Sequence, residues 1–412
     1  MSGRAFAASG TGLMRRKLLI AILSVVIVSQ LPFAYRRYRL GRLQNAIQQL
    51  ASQRVPPPET GYRDYAGVIH VHSFLGGHAT GTFAEIVSAA KSNQLDFVIM
   101  TEHPQADFDT SSMTLNGPHG GVLFVNGNEV ATSDGDRLLL IPGSTDASSF
   151  SAKPTRDIVD HQRASGGLSI AAYPTESSNW QATGVDGFEV YNLFSNARAA
   201  NPALLFFDGL WSFGRYADLM FADFFARPDA NLKLWDQAID KDNRRSIATA
   251  GNDAHSNIGL SLVDDSGKQW LGVKLDPYDR SFRVVRTHVL VKKDLELTRE
   301  SLLAALASGH VYVSFDIFGD PKGFSFRVAG QEQKIMGDEV AFVEGMRLIA
   351  SAPVASRVVL YRDGSVLEDK LGSTVQFAIN SKGVYRVEAY LEYLPAPARG
   401  KPWVISNPIY VR

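Results

Sequence analysis

Four short segments carry the residues that could do chemistry. His70 and His72 close the apolar run AGVIHVHS. Side chains two apart on a strand point to the same side, so both imidazoles can address one cation. Glu102 and His103 close LDFVIMTEH, Glu129 sits in NGNEV, and Asp253 and His255 repeat the two-residue spacing in TAGNDAHS. Any one of these, taken alone, reads equally well as a satisfied core or surface histidine. The chain has no cysteine, so disulfides and thiolate metal sites are excluded and a metal must be held by imidazole and carboxylate. Such donors suit zinc, manganese or iron. His119, His161, His288 and His310 lie in segments that read as structural, and Arg198 in FSNARAA reads as a solvated charge or as a contact for an anionic group.

The candidate ligands need elements to bring them together. From Tyr65 to Phe315, short apolar runs alternate with helical patterns, such as FAEIVSAAKSNQ before LDFVIMTEH. That texture predicts an α/β fold with parallel strands joined by helices, in a barrel or a doubly wound sheet. The polar residues end the apolar runs, where such folds gather their sites. After Pro321 the helical patterns give way to alternating strands, as in RVVLYRDGSVL, which predicts a β-sandwich over 319–412. At the other end, the apolar run Leu18–Ala34 lies between Arg15, Arg16, Lys17 and Arg36, Arg37, Arg39. It predicts a membrane anchor over 18–35, preceded by a basic tail, 1–17, with a cleaved signal peptide as the alternative. Leu40, Leu43, Ile47 and Leu50 then predict a helical stalk that stops before the triple proline at 56–58, with helix and linker occupying 36–60. The catalytic part is expected over 61–318, outside the cytoplasm.

The ordered series HVHS, TEH, GNE and GNDAH resembles the PHP (polymerase and histidinol phosphatase) superfamily of metal-dependent phosphoesterases, over Ala66 to Phe315. The resemblance implies a PHP-type distorted β/α barrel. It implies one metal site from His70, His72, Glu129 and Asp253, and another from His78, His103 and His255. Two departures stand out. Ala172-Tyr173-Pro174 replaces a histidine that usually precedes the proline, and Glu102 stands where an aspartate is usual. One or two zinc, manganese or iron ions are therefore expected rather than three. Glu102 and Tyr173 are expected to support the ligands or orient substrate rather than to attack it, the nucleophile being a metal-activated water.

Basic and acidic residues both total 42, so no net field recruits nucleic acid. No glycine-rich phosphate loop of the triphosphatase kind is present. The expected partner is a small phosphoester, its pocket lined by loops such as Ser177–Gln181 and by the aromatic segment Leu204–Phe225. Hydrolysis of a carbamate or another ester, a nuclease activity, and a metal-containing binding protein without activity are the alternatives. The partner of the C-terminal part is unspecified.

Overall fold

The computed structural model describes residues 9–177, 180–242, 245–257, 259–263 and 269–412. Its body is a ring of short strands with helices outside. Strand β1 (Tyr62–Val71) leads through α2 (Phe83–Ser92) to β2 (Phe97–Met100), with β3 (Val122–Val125) beside it; α1 (Ser9–Ala51) precedes them. Strands β4 (Asn128–Ala131) and β5 (Arg137–Ile141) follow. Helix α3 (Thr155–Ala164), β6 (Leu168–Ala172), β7 (Gly187–Asn192), α4 (Leu193–Arg198), α5 (Pro202–Tyr216), α6 (Asp229–Asp242) and β8 (Ile247–Ala254) come next. Two of the helices are started by their own sequence: Thr82 caps α2 and trades hydrogen bonds with Glu85 in a capping box, and Asn201 caps α5 with Pro202 in its first turn.

Strand β1 lies between β2 and β8, parallel to both. From β8 the ring continues through parallel β7 and β6 to β5, which runs antiparallel to both β6 and β4. It returns to β2 through one bridge, between Glu102 and Asn128. The antiparallel β5 and that narrow seam are what distort the barrel. Ile69, Ile99, Leu139 and Ile170, all essentially buried, belong to one apolar cluster; burial of each such side chain is worth ~1.5–3 kcal/mol. The ring is therefore rigid enough to fix what its strand ends carry.

The first half of β1 also pairs with antiparallel β9 (Arg286–Lys292), which pairs with β10 (Val311–Ser314). Beyond Asp320 all regular structure is strand: β11 (Arg347–Arg362), β12 (Ser365–Ala378), β13 (Gly383–Tyr390) and β14 (Pro402–Ser406) dominate. This part is stitched to the ring. Strand β14 pairs with β10, with Val313 opposite Ile405. Asn407 accepts from the Ala248 N–H at 2.8 Å and donates to its carbonyl at 2.9 Å, bracing the strand that ends at Asp253 and His255.

Helix α1 is continuous through Pro32 and is long and apolar enough to cross a membrane, by length and composition. The stripe expected to stand off as a stalk instead packs down. Leu40, Leu43 and Leu50 are buried in the main apolar core, and Arg36 pairs with buried Asp208 at 2.7 Å. A stripe too short for a coiled coil found its apolar partner within its own chain.

Candidate metal centre

Three strands meet at the site with an unusual backbone. His70 (φ 68°), Tyr173 (φ 48°) and Asp253 (φ 49°) all adopt left-handed conformations at or next to strand ends. Such a residue costs ~1–3 kcal/mol and persists where its surroundings over-determine it. In β1 the register to both neighbours shifts between Ile69 and Val71. His70 and His72 thus come together through a kink and not through simple alternation, their rings 5.1 Å apart.

Glu129 is the hub. Its Oε2 lies 3.1 Å from His70 Nε2, 3.3 Å from His72 Nε2 and 3.2 Å from His103 Nε2. Asp253 Oδ1 faces the same centre, 3.5 Å from His70 Nε2 and 3.6 Å from His72 Nε2. His78, on the loop after β1, brings Nε2 to 2.8 Å from His255 Nε2, and the His72 and His103 rings stack at 4.7 Å. Two groups have donor atoms close enough to share an ion: His70, His72, Glu129 and Asp253, and His72, His78, His103 and His255. His72 belongs to both.

The donor set fits a cation. Both ring nitrogens of His72 and Oδ1 of Asp253 are buried with no hydrogen-bond partner among the described residues, an expensive state for bare polar atoms. Burial pushes the His72 imidazole down to about 3 and His103 to about 4, so both are neutral with a lone pair free at neutral pH. Burial also opposes charge on Glu129, yet His70 and His72 hold its carboxyl well below the usual range. A His/Glu/Asp metal-binding site is therefore present.

Residues around the donors set their aim. His70 Nδ1 lies 2.6 Å from Glu189 Oε1, both side chains fully buried, which turns Nε2 toward Glu129 and Asp253. Sequence reading passed over Glu189; the only signal was a carboxylate inside the apolar run GFEVYN. Tyr278, also unmarked beforehand, donates to the His72 carbonyl at 2.6 Å. Tyr173 donates to Asp253 Oδ2 at 2.5 Å, and Asn192 reaches the same oxygen at 3.3 Å. Glu102 stands in neither donor group. Its carboxylate accepts from Ser73 N–H and Oγ and from Thr114 Oγ, so it ties down the loop that leads to His78.

The donors open into a cavity of about 250 Å³ whose wall includes Arg137, Tyr173, Glu176, Phe194, Ser195 and Arg198. Arg137 reaches Glu129 Oε1 at 3.5 Å. The pocket expectations are revised: Leu204–Tyr216 lies in α5 against α1, away from this wall, while Ser178 and Asn179 of the loop 177–181 lie outside the described residues. His161 pairs with Asp146 on the surface, and His288 is buried between Asp64 and Tyr312, far from the donors in the fold.

No family model matches the chain, and no curated protein matches it. Solved structures with partial similarity include a two-domain protein from Bacteroides vulgatus containing a predicted PHP-like metal-dependent phosphoesterase (TM-score 0.38, 14% identity, 86% of this chain and 98% of that one). PsfC from Pseudomonas syringae (TM-score 0.37, 13% identity) covers 66% of this chain and 94% of its own length. Endonuclease Q bound to a duplex with an abasic lesion (TM-score 0.33, 16% identity) covers 59% and 56%. The functional reading therefore rests on the site.

Proposed function

We propose that the chain is a membrane-anchored, metal-dependent phosphoesterase of the PHP type. The observation that supports this most is the Glu129 carboxylate shared among His70, His72 and His103, with Asp253 facing the same point. One ion would be held by His70, His72, Glu129 and Asp253, and a second by His78, His103 and His255, with His72 between them. Zinc or manganese suits these donors, with iron next. When bound, divalent ions acidify water and polarise a phosphoryl oxygen.

The protein's own groups do the rest. Arg198 and Arg137 give the mouth two cations for an anionic ester, a role Arg performs through its planar fork of donors. Tyr173 and Asn192 hold Asp253 in place, and Glu189 holds His70. Phe194 gives the cavity an apolar wall, its ring 5.6 Å from that of His255. Helix α1 fixes the protein in a bilayer through residues 18–35, with the body on the extracytoplasmic side, a placement a chain free of cysteine suits; protease protection in sealed vesicles checks the side.

The test is elemental analysis of the full chain in detergent, together with a phosphoester panel run beside aryl esters and carbamates. Up to two metals per chain and turnover of phosphoesters alone are expected. Turnover of carbamates alone would reassign the bond, and bound metal with no turnover of any substrate would make the site a binding centre.

A further inference from the structure

Helix α5 leaves an apolar face uncovered. Phe206 and Leu210, one turn apart, are 60% and 68% exposed and lie opposite the buried Asp208 and Ser212, while Leu204, at the helix start on the Asp208 side, is 45% exposed. The face continues the apolar run of α1. Phe33 and Phe207 rings meet at 5.0 Å, Trp211 Nε1 donates to Gln30 Oε1 at 3.0 Å, Arg37 donates to the Trp211 carbonyl, and Gly41 lies against Tyr216. The Phe33–Phe207, Arg37–Trp211 and Gly41–Tyr216 pairings run in the same direction along both helices, and the long Trp211 side chain reaches back to Gln30. With the rise per residue equal in the two, Phe207 level with Phe33 puts Leu204 and Phe206 level with the last turn of the apolar run, around residues 30–32. Tyr35 and Tyr38, both exposed, and Arg37 and Arg39 then form the aromatic and basic rim expected at a membrane surface.

The same end of this helix, its N-terminus, leads to the site. Arg198 lines the metal cavity, and α5 begins four residues later at Pro202, a chain length of at most about 14 Å. We infer that α5 is a second membrane contact, dipping its first turns into the bilayer beside α1, and that it holds the cavity mouth at the membrane surface so that the phosphoester hydrolysed is one carried by a lipid headgroup. This rests on the anchored phosphoesterase reading above.

The chain has no cysteine, so single cysteines can be labelled with a nitroxide in the full protein. The protein is placed in vesicles of phosphatidylcholine and phosphatidylglycerol, and labels at Phe206→Cys and Leu210→Cys are compared with Val25→Cys in the apolar run and Val366→Cys on the body. The label at 206 is expected to collide preferentially with oxygen, as at 25, and the label at 210, level with Arg36 in the rim, to meet both oxygen and a water-soluble nickel complex. If the label at 206 meets the nickel complex as freely as the label at 366, the membrane contact is wrong. For the substrate, combined Leu204→Ser, Phe206→Ser and Leu210→Ser should raise KM for dioleoyl phosphatidic acid in vesicles about tenfold, given the apolar burial lost. Hydrolysis of soluble dihexanoyl phosphatidic acid should be unchanged. Equal effects on both substrates, or none on either, overturn the lipid assignment. Hydrolysis of neither overturns the lipid substrate, the phosphoester panel deciding the phosphoesterase reading by itself, while the labels still decide the membrane contact.

Discussion

Replacing Glu189 tests whether the centre depends on a residue that touches no proposed ion. The carboxylate is fully buried and its Oε1 sits 2.6 Å from His70 Nδ1. Burial raises the Glu189 carboxyl while the His70 imidazole lowers it, so the hydrogen bond carries much of what keeps this group in place. Glu189→Gln keeps an oxygen for the bond and loses the charge; Glu189→Ala loses both and leaves His70 free to rotate. Partners of this kind typically cost 10 to 100-fold in metal affinity or activity, or ~1.4–2.7 kcal/mol, so about tenfold is expected for Gln and about 100-fold for Ala. Gly251→Ala reaches the same bond from another side, since a Cβ there would fall 1.6 Å from Glu189 Oε1 and drive the carboxylate away. Metal affinity is read by chelator competition and turnover on the best phosphoester, with circular dichroism reporting that the fold is kept. Wild-type affinity in folded Glu189→Ala would refute the argument, because His70 would then hold its aim without support.

Four further outcomes are expected. His72→Ala and Asp253→Ala should each lose most bound metal and activity, whereas His161→Ala, a surface residue paired with Asp146 and edge-on to Phe150, should match wild type. Tyr173→His should raise the metal count measured by elemental analysis, because the ring already lies 5.9 Å from His70 beside Asp253. Ending the chain at Asp320 should cost solubility, since it strips β10 of β14, one of its two partners, and Ala248 of the Asn407 clamp; a soluble, metal-retaining fragment would instead show that 61–318 folds alone. For His288, burial opposes the charge but Asp64 and Asp316 lift it to about 9. A raised group stabilises fully below its ordinary value and loses that contribution as pH rises through about 9, so the melting temperature should fall between about pH 7 and 9.5, and His288→Gln should flatten that slope.

The sequence alone determined the donor types, the alternation that builds a mixed α/β ring, and the apolar length of α1, because residue chemistry, periodicity and hydropathy are local properties. His70, His72, His103, Glu129, Asp253 and His255 could be named from order and spacing, and His78 from the family resemblance. What they do to one another could not. That Glu129 stands between three imidazoles follows from β4 meeting β2 at the Glu102–Asn128 bridge, a contact between segments with no pattern in common. The left-handed kinks at His70, Tyr173 and Asp253 replace the simple strand alternation, since only the assembled ring can hold such strain. Glu189 went unmarked because a carboxylate in an apolar run looks like an error until the strand beside it supplies an imidazole. The stripe on α1 read as a stalk for the same reason: a helix declares which face is apolar, and only tertiary packing decides what covers it.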